Sequence, residues 1–202
     1  MGSPVVMNPA VYDNAVAAGA FWSVLLGWEL VEWRQYRRES RVAADVDRDR
    51  GSGRLLTLTS WIAIGTGFVL AHADIARFPG SRWVVYGAGF GLLVAGIAFR
   101  QWAIHVLGRH FRRRVTIQPG HEVVHRGPYR VLRHPAYAGS LLAVVGIGVV
   151  FGSWLTLAIC VVPIAVGLVH RIRVEEAALE AALGDPYREY ERSTSRILPG
   201  IW

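Results

Sequence analysis

Long apolar blocks, separated by short connections crowded with arginine, set this chain's options. Five blocks stand out, at residues 15–31, 55–75, 83–106, 137–151 and 154–169. The first three approach the roughly 20 residues that an α-helix needs to cross about 30 Å of hydrocarbon. The last two are short and meet at Gly152-Ser153, which reads as a tight helical hairpin that can cross a locally thinned bilayer. Backbone in lipid must satisfy its own hydrogen bonds, so these blocks predict helices. The expectation is an all-α, polytopic integral membrane protein with about five transmembrane helices. Glycines within the blocks (Gly65, Gly67, Gly87, Gly89, Gly91, Gly96, Gly146 and Gly148) suit close helix packing.

The arginines predict an orientation. All 22 basic residues are arginine, and the net charge is +7. Residues 34–54 hold Arg34, Arg37, Arg38, Arg41, Arg48, Arg50 and Arg54. Residues 107–136 hold Arg109, Arg112, Arg113, Arg114, Arg126, Arg130 and Arg133, and five more follow His170. The connection 76–82 has only Arg77 and Arg82. Arginine-rich short loops stay in the cytoplasm. Five crossings then put the N-terminus outside and the C-terminus in the cytoplasm. Arginines between membrane blocks face lipid headgroups, so nucleic acid is not an expected partner. No basic stretch and cleavage site precede the first block, so no signal peptide is expected. Cys160 lies in an apolar run and reads as a small buried hydrophobe.

The tail after the fifth block has good helix formers over 172–183. Gly184 can end that helix and Asp185-Pro186 can open another, giving a cytoplasmic amphipathic C-terminus. Arg171 and Glu175, four residues apart, share a helix face. The carboxylates of Glu175 and Glu176, next to an apolar hairpin, suit a cationic ligand. On the other side of the hairpin stands HEVVHRGPYRVLRHPAYAG, residues 121–139. Its histidines, His121, His125 and His134, invite a zinc reading. Gly127-Pro128 interrupts any shared helix and no cysteine assists, so hydrogen-bonding histidines are expected and no metal. His72 and Asp74 read as interfacial. Arg100, near the end of the third block, reads as a side chain that snorkels, with an acceptor-side role as the alternative; Glu29 and Glu32 are placed similarly.

The string H-x-V-V-x-x-G-P-Y-R-x-x-R-H-P-x-Y-x-G, then an apolar hairpin, then R-x-x-x-E-E-x-x-L and G-x-x-Y-x-x-Y, resembles the isoprenylcysteine carboxyl methyltransferase family and the wider group with phospholipid methyltransferases. The resemblance covers roughly residues 105–200. It divides the chain into N-terminal helices (1–106) and a catalytic half (107–202) within one structural domain. It implies S-adenosylmethionine bound at the cytoplasmic membrane surface without a dinucleotide-binding fold. Glu175 would hold the cofactor's ammonium, and Tyr129 and Tyr137 would offer aromatic faces to its sulfonium or adenine. His121, Val123, Val124 and His134 would hydrogen-bond its remaining polar groups, and Pro135 would stiffen the loop.

Methyl transfer from a sulfonium is an in-line displacement that needs alignment above all. A carboxylate acceptor is already ionised, so Arg171 would clamp it bidentately. An amine acceptor would need a base, for which Glu176 or His121 is available. The implied partners are a lipophilic acceptor with a prenyl or acyl chain and the surrounding lipids. Phospholipid or small-molecule N- or S-methylation is the nearest alternative. A membrane reductase using a nicotinamide cofactor, or a non-enzymatic membrane protein, stands further off.

Overall fold

The computed structural model describes residues 8–39, 51–73, 75–108, 111 and 123–202. These form seven α-helices and one short 3-10 turn, with no β-strand among the described residues. The helices are α1 (Ala10–Asp13), α2 (Ala15–Glu39), α3 (Ser52–Leu70), α4 (Arg82–Leu107), α5 (Pro135–Val150), α6 (Trp154–Leu183) and α7 (Asp185–Ser193); the turn is Gly127–Arg130. Each of the five apolar blocks carries a helix, though the second was expected to reach residue 75 and its helix ends at Leu70. Four helices are long and apolar enough to cross a membrane: Ala15–Arg37, Gly53–Leu70, Arg82–Leu107 and Trp154–Leu183. α5, with 16 residues, is shorter. At about 1.5 Å per residue it spans roughly 24 Å.

The helix expected over 172–183 is present as the continuation of α6, which runs unbroken for 30 residues past Pro163. Nothing between Val169 and Ile172 stops it. Its length, about 45 Å, exceeds the roughly 30 Å of hydrocarbon. Gly184 ends it with φ 62°, and Pro186 opens α7.

The two ends of the bundle are built differently. At one end, Asn14 caps α2 by accepting from the Ala17 amide at 2.9 Å. Tyr12 donates to the Phe68 carbonyl at 2.7 Å, and Arg82 pairs with Asp13 at 3.0 Å. Here too the 76–78 backbone meets the α5–α6 turn, with Phe78 N–H donating to Gly152 O and Trp154 N–H to Ala76 O. The core behind it contains Phe21, Phe68 and Phe151, their rings 5.9 Å apart where they meet Phe151. At the other end lie the 126–134 loop and the chain's C-terminal residues.

α4 and α5 touch through backbone. A Cβ placed on Gly89 would lie 2.7 Å from Val150 N, and one on Gly139 2.6 Å from Arg100 N. Gly96 and Gly146 face the opposite helix as closely. Small residues let helices approach to this distance, where packing and weak Cα–H···O contacts hold them. Gly87 and Gly91, on the same helix, meet nothing within 4 Å. Gly146→Ala is therefore expected to force the pair apart and cost about 1–3 kcal/mol. Gly87→Ala should instead be neutral or gain up to about 1 kcal/mol in helix propensity. Thermal unfolding in detergent checks the contrast: Gly146→Ala should lower Tm and Gly87→Ala should not.

Candidate active site

The loop before α5 is shaped by its own sequence. Pro128 sits in the first turn of the Gly127–Arg130 helix, and Gly127 has φ 54°. Pro135 opens α5, where its missing N–H costs nothing. Tyr129 is buried, and its carbonyl accepts from the Tyr190 hydroxyl at 2.8 Å. Burial pushes the phenols of Tyr129 and Tyr190 up, so both remain neutral. Residues 131–134 then run alongside the C-terminal segment. Arg133 N–H donates to Ser195 O at 2.8 Å, His134 N–H to Arg196 O at 2.9 Å, and Ser195 N–H to Val131 O at 3.0 Å.

Side chains lock the same junction. One oxygen of Glu176 takes Arg133 Nε at 2.9 Å and lies 3.3 Å from His134 Nε2; the other takes Arg196 Nε at 2.8 Å. Arg133 Nη1 continues to the carbonyls of Glu191 and Thr194. One carboxylate on α6 thus holds the loop, α7 and the tail. Glu176 was expected as a base; both its oxygens are engaged by cationic or imidazole groups, an arrangement that suits positioning.

Glu175 faces another way. Tyr137 donates its hydroxyl proton to Glu175 Oε2 at 2.6 Å and accepts from Arg171 Nε at 2.8 Å. The Arg171 guanidinium lies 5.9 Å from the Tyr137 ring centroid, and the His134 ring stacks on Tyr137 at 5.5 Å and 11°. A cation, a phenol and a carboxylate therefore stand together between the first turn of α5 and the C-terminal half of α6.

The structure brings together Arg171, Glu175, Glu176, His134, Pro135 and Tyr137. Tyr129 is packed with Ala103, Ala136 and Val124, and Val123 is half-buried. His121 and Asp74 lie outside the described residues. His125 packs its ring edge-on to Tyr190 at 4.9 Å, and His72 packs on Tyr12 at the opposite end. Among the described residues no three metal-ligand side chains converge. The snorkelling expected of Arg100 is corrected: its guanidinium is buried against Glu32, with Nε and Nη2 at 2.7 and 2.8 Å from the two carboxylate oxygens. A partner one helix away outcompetes water at the interface. Sequence reasoning took Arg133 for a topological charge and missed Arg196, because the backbone pairing of 131–134 with 195–196 leaves no local motif.

Fold and site define an intramembrane protein whose charged cluster caps an apolar helical hairpin. Residues 89–181 match the model of the isoprenylcysteine carboxyl methyltransferase (ICMT) family. The chain is 32% identical over 132 residues to protein-S-isoprenylcysteine O-methyltransferase A of Arabidopsis thaliana, covering 63% of this chain and 67% of that one. It is 30% identical over 160 residues to a probable protein-S-isoprenylcysteine O-methyltransferase of Oryza sativa subsp. japonica, covering 73% and 83%. It is also 31% identical over 103 residues to the uncharacterized protein YpbQ of Bacillus subtilis, spanning 59% of that protein. The solved structure of the eukaryotic intramembrane Ras methyltransferase ICMT shares the fold, with TM-score 0.58 and 22% identity; the match covers 73% of this chain and 52% of that one. The chain belongs to the ICMT family.

Breaking the hub has a measurable cost. Glu176→Gln leaves the buried Arg133 without its counter-charge and is expected to cost about 3–5 kcal/mol. Arg196 is 32% exposed. Arg196→Ala should therefore cost no more than about 1 kcal/mol. Unfolding curves of both variants in the same detergent check the ranking.

Proposed function

We propose that this protein transfers a methyl group from S-adenosylmethionine to the carboxylate of an isoprenylcysteine-like or other lipophilic acceptor at the membrane interface. The observation that carries the reading is the Arg171–Tyr137–Glu175 line, which offers a cationic and an anionic side chain on either side of one phenol. The names of the plant relatives support the acceptor class.

The residues present fit the cofactor. When bound, it supplies an electrophilic methyl on a cationic sulfur. Glu175 matches its ammonium, and the stacked His134 and Tyr137 rings present aromatic surface beside that carboxylate. Tyr187, 3% exposed, buries a hydroxyl that has no hydrogen-bond partner among the described residues, as a group awaiting a polar ligand would. Val123, Val124, Tyr129 and Pro135 would line the adjoining side on this reading, and the resemblance adds His121.

Arg171 would hold the acceptor carboxylate, whose oxygen needs no deprotonation before attack. Pairing it in a partly dry site strips water from the nucleophile and fixes the line of displacement. Glu176 would contribute by holding His134 in place. An amine acceptor fits less well, since the carboxylate nearest to serving as its base is already shared among Arg133, His134 and Arg196. In this reading residues 107–202 carry the chemistry and the helices of 1–106 enclose the apolar chain.

Arg171→Lys keeps the charge and loses the planar fork. Turnover of S-farnesylcysteine with labelled cofactor is expected to fall at least about tenfold, with cofactor affinity within about twofold. Wild-type turnover in the Lys variant would overturn the clamp.

The arginine distribution supports an external N-terminus and a cytoplasmic site. Single cysteines at Ser81 and Ser195, on opposite ends of the bundle, should react with impermeant thiol reagent from opposite sides, Ser81 from outside. The buried Cys160 should stay silent. Labelling of both from one side would refute the orientation.

A further inference from the structure

We propose that Arg100, oriented by Glu32, is the positioning residue that fixes Tyr137 and, through it, the Arg171–Glu175 pair. The proposal rests on the reading of Arg171 and Glu175 as the acceptor and cofactor groups.

Arg100 and Glu32 are both buried, on α4 and α2. Removing both charges from water is costly, and an apolar pair would pack these helices at no such cost. The pair is also built with care. Glu32 takes the Nε and Nη2 edge of the guanidinium and is itself reached by Trp28 Nε1 at 3.2 Å. That leaves the Nη1 corner directed at α5, where it donates to Ala136 O at 3.3 Å and Ser140 Oγ at 3.1 Å. Ser140 Oγ donates to the same Ala136 carbonyl at 3.0 Å.

Ala136 immediately precedes Tyr137. The first turn of α5 is thus gripped at one carbonyl by a guanidinium and a hydroxyl. It is gripped again at Gly139, which lies against the Arg100 backbone with no room for a Cβ. Backbone and side chain of one α4 residue together set the rotation and depth of that turn. Tyr137 projects from it to meet Arg171 and Glu175 at 2.8 and 2.6 Å. A shift of the turn moves the hydroxyl against both partners at once and lengthens one of those two bonds.

The test separates packing from positioning. The full chain is purified in detergent, and S-adenosylhomocysteine binding is measured by calorimetry beside thermal unfolding. Three variants are compared: Arg100→Lys, which keeps the charge without the corner; Ser140→Ala, which removes one partner of that corner; and the double replacement Glu32→Leu with Arg100→Met. The Lys and double variants are expected to bind about tenfold more weakly, and Ser140→Ala about threefold. The double variant should match or exceed the wild-type Tm, because an apolar pair of similar volume often replaces a buried ion pair without loss. A packing role would return wild-type affinity along with that stability. Affinity within about twofold of wild type in the Lys or double variant overturns the proposal. Failure of the wild-type chain to bind S-adenosylhomocysteine would instead remove the cofactor reading of Glu175, a different result from equal binding by all forms.

Discussion

The Glu176 carboxylate is the contact on which this end of the molecule depends. It stands on α6, yet the residues it holds belong to the loop before α5 and to the tail after α7. These segments are far apart in sequence. A salt bridge at a fully exposed surface would contribute little here. At 7% side-chain exposure the carboxylate cannot stand without its cations, nor Arg133 without a carboxylate. The mutual requirement fixes the loop and tail together, beside the buried Leu132, Tyr190 and Ile197. The backbone bonds between residues 131–134 and 195–196 then follow at small extra entropic cost.

The α4–α5 contact supplies the rigid floor under that hub. Four glycines bring two backbones together, and Arg100 leaves the same interface to reach both α2 and the first turn of α5. In a bilayer no hydrophobic force drives helices together, so close packing and buried hydrogen bonds carry the association. The RHPxYxG string therefore has a physical reading at almost every position. Its arginine and histidine bind Glu176, its proline opens the helix, its tyrosine links Arg171 to Glu175, and its glycine admits α4.

Much of this was legible beforehand. Block length and arginine spacing gave the helices, and Gly152, Gly184 and Pro186 marked their ends where the structure has them. Arg171, Glu175, Tyr137 and His134 emerged from motif and resemblance, and they do converge. What stayed hidden shares one cause. The Glu32–Arg100 pair joins residues 68 apart in sequence, and Arg196 pairs with a glutamate across the α6–α7 turn. Periodicity reports which face of one helix is apolar; it says nothing about which charge on another helix that face will meet. A buried arginine and a snorkelling arginine have the same local sequence. The Pro163 case runs the other way: a residue that breaks helices in water is tolerated within α6, where packing and the lack of water leave the helix no alternative.

The Glu175-Glu176 pair shows how one local repeat yields two functions. Neighbours on an α-helix point about 100° apart, so the two carboxylates cannot share surroundings. Glu176 turns toward Arg133, His134 and Arg196, while Glu175 turns toward Tyr137. Two adjacent bare carboxylates in a partly dry site would repel each other, and each would raise the other's affinity for protons. Glu175 takes the Tyr137 phenol proton, and a phenol donates one hydrogen bond where a carboxylate can accept several. On the proposed reading the remaining acceptor capacity is what a cationic cofactor uses. Arg171 reaches the same phenol, donating from Nε to its hydroxyl. The phenol thus stands between a cation and a carboxylate, and on the proposed reading an acceptor anion and a cofactor cation each find an opposite charge beside it.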